Sequence, residues 1–493
     1  MGQTRNSKYF YFITISMILL GILIKFYINT YFKYELTNVI KSMKNIEFIN
    51  EKIQRHRSPR IAIGFGGCTD YFSRAIACFT HLNMSGPDSV VFKSNQEQEL
   101  NSLDDINQQF SQFFIEGAAA ERYVHNAELF EMLQNSVISL KEITKTFVGG
   151  NAPVMANRLA TDGAIVLLGA KLSDHQISFL HKNVSAVEIT TGNEAEDRHI
   201  ILEFDVGENW GSLKCPRANR FIVHRDKHTP FLTGLENLQN KLLDFKPDIF
   251  VLGGLQMMDG FPYQNGQMKE QINKLEKFLA TIPKKVPIHF EMASFIEKNF
   301  FIMLKKQIIP YADSLGFNEQ ELPNLFSILE SNSITTLSTA YPRTSQMLDH
   351  MRRVWEIIVD QSPTNINRNK LSRLHLHTIG YQIIMTNRHS EFWYSSRSAV
   401  AKASLVAHRH TCGIHNIDIE RSKLLMDDSF SISGIPNSPR VHFNFTDPVS
   451  CWEERELEIC VAPVLVCTKV IKTVGGGDNI SSAALLNQLK ITE

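Results

Sequence analysis

The chain alternates short, continuous apolar runs with longer segments whose apolar residues recur at helical spacing. Continuous apolar runs bounded by polar or glycine residues are typical of strands buried on both faces. The alternation predicts an α/β fold, a doubly wound and mainly parallel sheet covered by helices, with ligands at the carboxyl ends of the strands. The predicted strands are residues 60–65, 164–168, 248–252, 287–290 and 463–467, and helices are predicted at residues 235–245 and 268–280.

The N-terminus departs from this pattern. Arg5 and Lys8 precede an apolar run at residues 9–24, which is typical of a secretory signal or signal-anchor. The run lacks a small-x-small cleavage site and an aromatic flank follows it, so the sequence favours a retained anchor over cleavage, with a buried core helix as the third alternative. The run is short for a membrane span unless the flank lies in the interface. We expect a signal or signal-anchor at residues 1–32, a lead-in linker at 33–57 and the folded domain at 58–493.

Such a segment predicts entry into the secretory pathway through the translocon. The chain would then be anchored in the endoplasmic reticulum membrane with a lumenal catalytic domain, or secreted if the segment is cleaved. Seven cysteines show no CxxC pair, which argues against a zinc site. In an oxidising lumen one disulfide bond could form, for example between Cys412 and a cysteine that the fold brings near it. The odd number of cysteines leaves at least one thiol free.

Composition narrows the function classes. The chain has 493 residues, 43% of them hydrophobic, which is enough for a large core. Lys plus Arg and Asp plus Glu each total 51, so the net charge is zero. Nothing in this balance favours a nucleic-acid partner, and we expect a monomer.

A glycine motif near the C-terminus carries the first chemical signal. The apolar run 463–467 leads to Gly475-Gly476-Gly477-Asp478, and a helix-like segment follows. Glycines let backbone N–H groups approach an anion, and the start of a helix directs its positive end at the same place, which suits phosphate. Asp478 beside that phosphate can take a proton from an attacking hydroxyl. The alternative is a glycine-rich turn with an N-capping Asp.

Two other carboxylates follow predicted strands or begin a helix. Glu291 follows the strand at 287–290, and Asn318 can cap a helix whose first turn bears Glu321. Taken singly, these are a surface carboxylate and a capping box. Together with Asp478 they predict an oxygen shell for Mg²⁺, which accompanies transferred phosphates.

Taken in order, the motifs of residues 61–489 resemble the ADP-dependent glucokinases of the ribokinase-like superfamily, and their animal branch in particular. The motifs are Gly149-Gly150-Asn151-Ala152, Gly207-Glu208-Asn209-Trp210-Gly211, Arg217-Ala218-Asn219-Arg220-Phe221-Ile222, Gly254-Leu255-Gln256-Met257-Met258, His289-x-Glu291, Asn318-x-x-Glu321, His375-x-His377-Thr378 and Gly475-x-Gly477-Asp478.

The resemblance implies a ribokinase-like α/β domain with a smaller, mostly β lid formed by segments within about residues 70–230. Glucose and ADP would bind in the cleft between them, and lid closure would exclude water. The implied reaction is a step of glycolysis in which ADP phosphorylates the 6-hydroxyl of glucose, giving glucose 6-phosphate and AMP. Asp478 would be the base, with Mg²⁺ as cofactor and ADP as co-substrate.

The resemblance also assigns roles to individual residues. The metal-site positions are Glu291, Glu321 and Asp478. The implied nucleotide and phosphate contacts are Asn318, His377, Thr378, Gly475, Gly476 and Gly477. The implied sugar contacts are Asp70, Gly149, Gly150, Asn151 and His199.

One departure from the family pattern leaves the acceptor open. Gly66-Gly67 stands where the family has Asn-Ala, although Asp70 is kept. A missing amide would cost about 1 kcal/mol of sugar binding. Three alternatives therefore stay open: a non-catalytic sugar- or nucleotide-binding protein, a kinase for another sugar such as fructose 6-phosphate, and ATP as donor. His375 and His377 alternate with apolar residues, which predicts a strand and not a metal pair.

Overall fold

The structure is a computed structural model that describes residues 3–54, 57–88, 99–190, 196–335, 339, 341–360, 368, 370–472 and 474–491. Its strands, numbered in chain order, are β1 (Arg60–Gly64), β2 (Cys68–Arg74), β3 (Ala120–Tyr123), β4 (Lys145–Gly149), β5 (Ile165–Ser173), β6 (Val184–Thr190), β7 (Arg198–Phe204), β8 (Asn209–Trp210), β9 (Leu213–Lys214), β10 (Asn219–His224), β11 (Ile249–Leu252), β12 (Ile288–Glu291), β13 (Ser314–Asn318), β14 (Arg373–His377), β15 (Tyr381–Asn387), β16 (Ser422–Leu424), β17 (Ser429–Ser431), β18 (Arg440–His442), β19 (Ser450–Glu454), β20 (Leu457–Pro463) and β21 (Leu465–Cys467).

The α-helices, numbered in the same way, are α1 (Gln3–Gln54), α2 (Ala75–His81), α3 (Leu103–Glu116), α4 (Ala127–Ser139), α5 (Asn151–Thr161), α6 (Asp174–Ile177), α7 (Leu235–Phe245), α8 (Gln267–Thr281), α9 (Lys298–Gln307), α10 (Glu321–Ser331), α11 (Thr344–Asp360), α12 (Ser396–Cys412) and α13 (Gly476–Gln488). Short 3₁₀ helices are Thr229–Phe231, Leu255–Met258, Ile309–Tyr311 and Ile419–Arg421.

The larger sheet has ten strands within the described residues, in the order β19-β20-β15-β14-β13-β12-β11-β1-β5-β6. The strands from β14 to β6 are parallel to their neighbours, and β15, β20 and β19 add an antiparallel edge. The predicted doubly wound, mainly parallel α/β sheet is therefore confirmed. The predicted strand at 463–467 differs, because Pro463 ends β20 and Leu465–Cys467 pairs with β16 in a separate small sheet.

Helices cover both faces of this sheet. Along β1, Ile61 and Ile63 pack with α5 and α13 residues, whereas Ala62 between them faces a cluster that includes Ile272 and Phe278 of α8. This alternation is the two-residue period of a strand, and because both faces are covered, the strand reads as a continuous apolar run. The polar residues that can meet a ligand are thereby confined to the ends of the strands.

A second sheet lies within residues 68–224 and has five strands among the described residues, in the order β3-β10-β7-β2-β4. Helices α2, α3 and α4 contribute to its separate core, which is rich in aromatic side chains such as Phe79, Phe110 and Trp210. Only residues 65–67 separate β1 of the large sheet from β2 of the small one. The short connection places the first strand of the small sheet beside the carboxyl end of β1.

The N-terminal helix α1 has two different halves. Apolar side chains between residues 15 and 34 are exposed, and the helix segment Thr14–Ile49 is long and apolar enough to cross a membrane. Beyond this exposed stretch, Val39, Met43 and Ile46 are buried in a cluster with α12 residues. The part of α1 that these residues occupy is therefore a packed helix within the segment expected to be a lead-in linker at 33–57.

Among the described cysteines, Cys412 is bonded to Cys467 and Cys451 to Cys460. Cys68, Cys78 and Cys215 are buried thiols. The first bond joins the end of α12 to β21, a few residues before the glycine motif.

Candidate active site

The glycine motif forms the start of α13. Gly475 has φ of +69° and caps the helix, which starts at Gly476. A Cβ atom at Gly477 would lie 2.8 Å from Cε1 of His377, so a side chain there would collide with the neighbouring strand end. The first turn of α13 thus packs closely against β14 with its backbone N–H groups available for an anion.

Asp478 lies in this first turn and is half-buried. Its Oδ1 accepts a hydrogen bond from Nδ2 of Asn151 at 2.8 Å, and Asn151 Oδ1 accepts one from Gln256 Nε2. Burial, with the nearby Glu291 carboxylate, raises the pKa of Asp478 to about 7. A carboxylate with such a pKa can exchange a proton with a substrate hydroxyl near neutral pH.

Glu291 ends β12 and is held by three donors. Its Oε2 accepts from Ser481 Oγ at 2.5 Å and from His289 Nε2 at 2.9 Å, and its Oε1 accepts from His377 Nε2 at 3.2 Å. Burial acts to raise the pKa of Glu291, but the hydrogen bonds from His289 and His377 outweigh it and hold that pKa well below its ordinary value. The pKa of His377 is raised in spite of burial, because Glu291 accepts its N–H. The hydrogen bond from Ser481 of α13 to Glu291 connects this helix to the sheet.

Asn318 and Glu321 bind each other at the end of β13. The Glu321 carboxylate accepts from the Asn318 backbone N–H and from its Nδ2, each at 2.8 Å, and Asn318 Oδ1 accepts from the Glu321 backbone N–H at 2.9 Å. Burial raises the pKa of Glu321 to about 8. Thr378 follows β14, and its hydroxyl donates to the Tyr381 carbonyl oxygen within the β14–β15 turn.

Glu291, Asn318 and His377 end three neighbouring strands, as parallel topology requires. Glu291 is opposite Gly316 in the β12–β13 register, and Asn318 is opposite His377 in the β13–β14 register. The sheet thereby brings together the residues predicted for the phosphate and nucleotide side at its carboxyl edge. His375 lies on β14 as predicted, buried and with Nε2 3.3 Å from Gln382 Oε1.

The residues predicted for the sugar meet on the small sheet. Asp70 of β2 is opposite His199 of β7, with Oδ1 3.8 Å from His199 Nδ1, and it accepts a hydrogen bond from Cys68 Sγ at 3.1 Å. A Cβ atom at Gly149 would lie 1.8 Å from Asp70 Oδ1, so the carboxylate rests directly on the glycine. Burial raises the pKa of Asp70 to about 6.

The Gly149-Gly150-Asn151 segment joins the two groups of residues. Gly149 contacts Asp70, and Asn151 donates a hydrogen bond to Asp478. Two residues span at most about 7 Å, so the candidate base and the predicted sugar contacts belong to one site. Gly150 packs against Gly67, because a Cβ atom added to Gly150 would lie 3.4 Å from the Gly67 Cα.

The replacement at Gly66-Gly67 also has a structural reason. Gly66 has φ of +78°, and a Cβ atom there would lie 2.3 Å from Thr229 Cγ2; at Gly67 it would lie 2.6 Å from Leu172 Cδ2. At Gly66 the positive φ and the close Thr229 side chain favour glycine, whereas at Gly67 the nearest atom is the end of the flexible Leu172 side chain, which could shift. In this chain the Cys68 thiol donates a hydrogen bond to Asp70.

Several buried or half-buried polar residues at the site carry no sequence prediction. Asp226 follows β10 and contacts His199, and Glu121 Oε1 lies 3.8 Å from His199 Nδ1. Arg220 of β10 is half-buried, and its buried Nε has no hydrogen-bond partner among the described residues. His410 of α12 donates from Nε2 to the Val474 carbonyl oxygen at 2.8 Å, directly before the glycine motif. Arg220 belongs to the Arg217-to-Ile222 motif given above, so the sequence offered a signal for it. The local sequences around the other residues offer no such signal.

This fold and site are those of a phosphotransferase of the ribokinase-like class, with a glycine turn, the start of a helix and a half-buried carboxylate at the carboxyl edge of the sheet. Residues 59–487 match the conserved region of ADP-specific phosphofructokinases and glucokinases, and the chain belongs to this family.

The chain is similar over most of its length to animal relatives. It is 32% identical to the ADP-dependent glucokinase of Bos taurus, an alignment that covers 86% of this chain and 84% of the relative. It is 28% identical to the probable ADP-dependent glucokinase of Caenorhabditis elegans, covering 87% and 84%. A solved ADP-dependent kinase in complex with fructose-6-phosphate and ADPβS superposes with a TM-score of 0.62 at 19% identity, over 92% of this chain and 97% of that one, which supports the fold.

Proposed function

We propose that this protein phosphorylates the 6-hydroxyl of glucose with ADP, giving glucose 6-phosphate and AMP. The observation that carries the proposal is the Gly149-Gly150-Asn151 segment, which contacts Asp70 at one end and Asp478 at the start of α13 at the other. The glucokinase names of the cattle and nematode relatives support glucose as the acceptor and ADP as the donor.

In this proposal Asp478 takes the proton of the 6-hydroxyl as the oxygen attacks the phosphoryl group. Asn151 orients the carboxylate through its 2.8 Å hydrogen bond. The residues at 475–477 and the N-terminus of α13 bind the transferring phosphate through backbone N–H groups. The half-buried guanidinium of Arg220 lies near enough to interact electrostatically with Asp478, and it would offset charge on the same phosphate.

Mg²⁺ fits the three carboxylates as a cation that keeps part of its water shell. The Glu291 carboxylate contributes to the raised pKa values of Glu321 and Asp478, so the site concentrates negative charge that a divalent cation would balance. The oxygens of Glu291 and Glu321 already accept hydrogen bonds from protein donors, which favours contact through waters. A bound Mg²⁺ would neutralise charge on the transferring phosphoryl group.

The chemistry of the sugar end favours an uncharged acceptor. Asp70 and Glu121 present carboxylate oxygens on two sides of His199 Nδ1, each 3.8 Å away. Carboxylates accept hydrogen bonds from sugar hydroxyls, which suits an uncharged sugar. Asn318, His377 and Thr378 are proposed nucleotide contacts at the other end of the site.

The test uses the full chain in detergent, with Mg²⁺, ADP or ATP as donor, and glucose or fructose 6-phosphate as acceptor. We expect product only from ADP and glucose. Asp478→Asn should lower kcat by roughly 10²–10⁴-fold while ADP still binds, because a positioned base contributes about that much. The exposed Asp427→Asn is the matched control and should be unchanged.

Three outcomes would contradict the proposal. Turnover with fructose 6-phosphate or ATP would reassign the substrates. An unchanged rate in Asp478→Asn would remove it as the base. Folded wild-type protein that binds ADP but turns over no acceptor would indicate a binding protein that has lost catalysis.

We further propose that the small sheet acts as a lid over the site.

We also propose that α1 anchors the kinase in the endoplasmic reticulum membrane with residues 58–493 in the lumen. The exposed apolar half of α1 supports the anchor, and the two disulfides support the lumenal position. Protease protection in intact microsomes tests the lumenal orientation, and N-terminal sequencing distinguishes an anchor at residues 1–32 from cleavage and secretion. Light scattering with ADP and glucose tests the expected monomer.

A further inference from the structure

A buried carboxylate stands behind the proposed sugar contacts. The Asp226 side chain is 0% exposed, and both of its oxygens lie 3.0 Å from His199 Nε2. His199 lies on β7 opposite His224 of β10, and Asp226 follows two residues later. Asp226 is therefore attached to the strand next to His199 and faces the side of the imidazole away from Asp70.

We propose that Asp226 is a positioning residue for the sugar, which holds the His199 ring by Nε2 so that Nδ1–H points between Asp70 and Glu121. This inference rests on the proposed function, because the group positioned in this way is the donor for a sugar hydroxyl. Asp226 itself does not contact the substrate.

The spacing around Nδ1 supports this role. Nδ1 lies 3.8 Å from Asp70 Oδ1 and 3.8 Å from Glu121 Oε1, which is too long for a hydrogen bond. A hydroxyl oxygen placed about 2.8 Å from Nδ1 and from either carboxylate oxygen fits this spacing without moving the protein. Such a hydroxyl would accept from His199 and donate to a carboxylate, so both of its polar functions would be used.

The charges act in the same direction. Burial alone would lower the pKa of His199, but Asp226, and to a smaller extent Asp70 and Glu121, raise it to about 10. Burial would raise the pKa of Asp226, yet His199 and His224 hold it well below its ordinary value. His199 is therefore a cation with an N–H on both ring nitrogens at neutral pH.

Other ionisable groups face this pair from neighbouring elements. Asp197, which precedes β7, lies close to Asp226, and Lys472, which precedes the glycine motif, lies close to Asp70. Cys68 of β2 completes the set through its bond to Asp70. Among these groups, Asp226 is the carboxylate in direct contact with Nε2, so its removal changes His199 most.

The test replaces Asp226 with Asn in the full chain and measures both Michaelis constants. We expect the KM for glucose to rise at least tenfold, with the KM for ADP within twofold of wild type. Asp226→Glu should recover part of the loss, because it restores the charge. Asp205→Asn, which removes an exposed carboxylate on the same sheet, is the control.

A pH profile separates positioning from a structural role. In wild type, kcat/KM for glucose should stay high from pH 7 to 9, because His199 keeps its proton. In Asp226→Asn the pKa of His199 falls, so kcat/KM should decline as pH rises above 7. A variant that is only destabilised would lose activity toward both substrates and keep the shape of the wild-type profile, which would overturn the inference.

Two measurements keep the inference separate from the proposed function. Calorimetric titration with glucose reports binding without turnover; an unchanged affinity in folded Asp226→Asn would overturn the inference even if wild type is an active glucokinase. If wild type binds no glucose, the proposed function fails first. If Asp226→Asn does not fold, an NMR titration of histidine-labelled wild type replaces it. A His199 ring that titrates below pH 7 refutes positioning by Asp226, and a ring that stays protonated above pH 8 supports it.

Discussion

The docked half of α1 contains one buried carboxylate that pairs with cations of the kinase domain. Glu47 is 1% exposed, with Oε1 2.7 Å from Arg409 and 2.9 Å from Lys402, and with Oε2 3.0 Å from the second terminal nitrogen of Arg409. Both cations lie on α12, which packs against α13. Glu47→Gln keeps the shape of the side chain and removes its charge. Arg409 then loses its carboxylate partner, and Lys402 keeps only the more distant Asp162 carboxylate, 4.0 Å away, among the pairs described for it.

The magnitude follows from the burial of the pair. Removing one partner of a buried ion pair costs about 3–5 kcal/mol, and we take about 3 because glutamine still accepts one hydrogen bond. Each 1.4 kcal/mol is a factor of ten, so docked α1 should open about 100-fold more often. Val39, Ile40, Met43 and Ile46 remain buried, each stabilising the contact by about 1.5–3 kcal/mol, so the helix stays docked on average.

The assay is hydrogen exchange of the full chain in detergent micelles, followed by mass spectrometry of peptides that cover residues 36–48. Wild type should protect these amides strongly, and Glu47→Gln should exchange them about 100-fold faster. Glu420→Gln is the matched control, because Glu420 forms an exposed pair with Lys33 on the same helix and should change nothing measurable.

Two results would refute this reasoning. If Glu47→Gln exchanged residues 36–48 as slowly as wild type, the Glu47 pair would not hold the helix. If these amides exchanged in wild type as fast as those of an undocked helix, α1 would be a tether and the linker expected at 33–57 would be correct.

Two further predictions concern the site itself. Gly149→Ala should raise the KM for glucose at least tenfold and leave the KM for ADP unchanged, because the new methyl group would lie 1.8 Å from Asp70 Oδ1 and displace the carboxylate. If the variant had the same KM for glucose as wild type, Asp70 would not contact the sugar. The kcat should rise about tenfold from pH 6 to 8, because burial and Glu291 raise the pKa of Asp478 to about 7 and the base acts deprotonated; a flat stopped-flow profile of the chemical step would contradict this.

The sequence by itself determined the large sheet and its active edge. Strands buried on both faces read as continuous apolar runs, and parallel strands have their carboxyl ends at one edge, so the position of Glu291 after its strand implied its place in the fold. The same holds for Gly475 to Asp478, because a glycine turn followed by a helix is a local signal. These features depend on neighbours in the chain, which the sequence displays directly.

Only the tertiary structure decided which distant residues meet. The contact of Asp226 with His199 depends on the β7–β10 register, and the partner of Cys412 depends on where β21 lies. The docking of α1 depends on Glu47 meeting two cations more than 350 positions away. Each of these pairings lies outside the range of local periodicity, because the chain segments between the partners can close in many ways and only the packed core selects one.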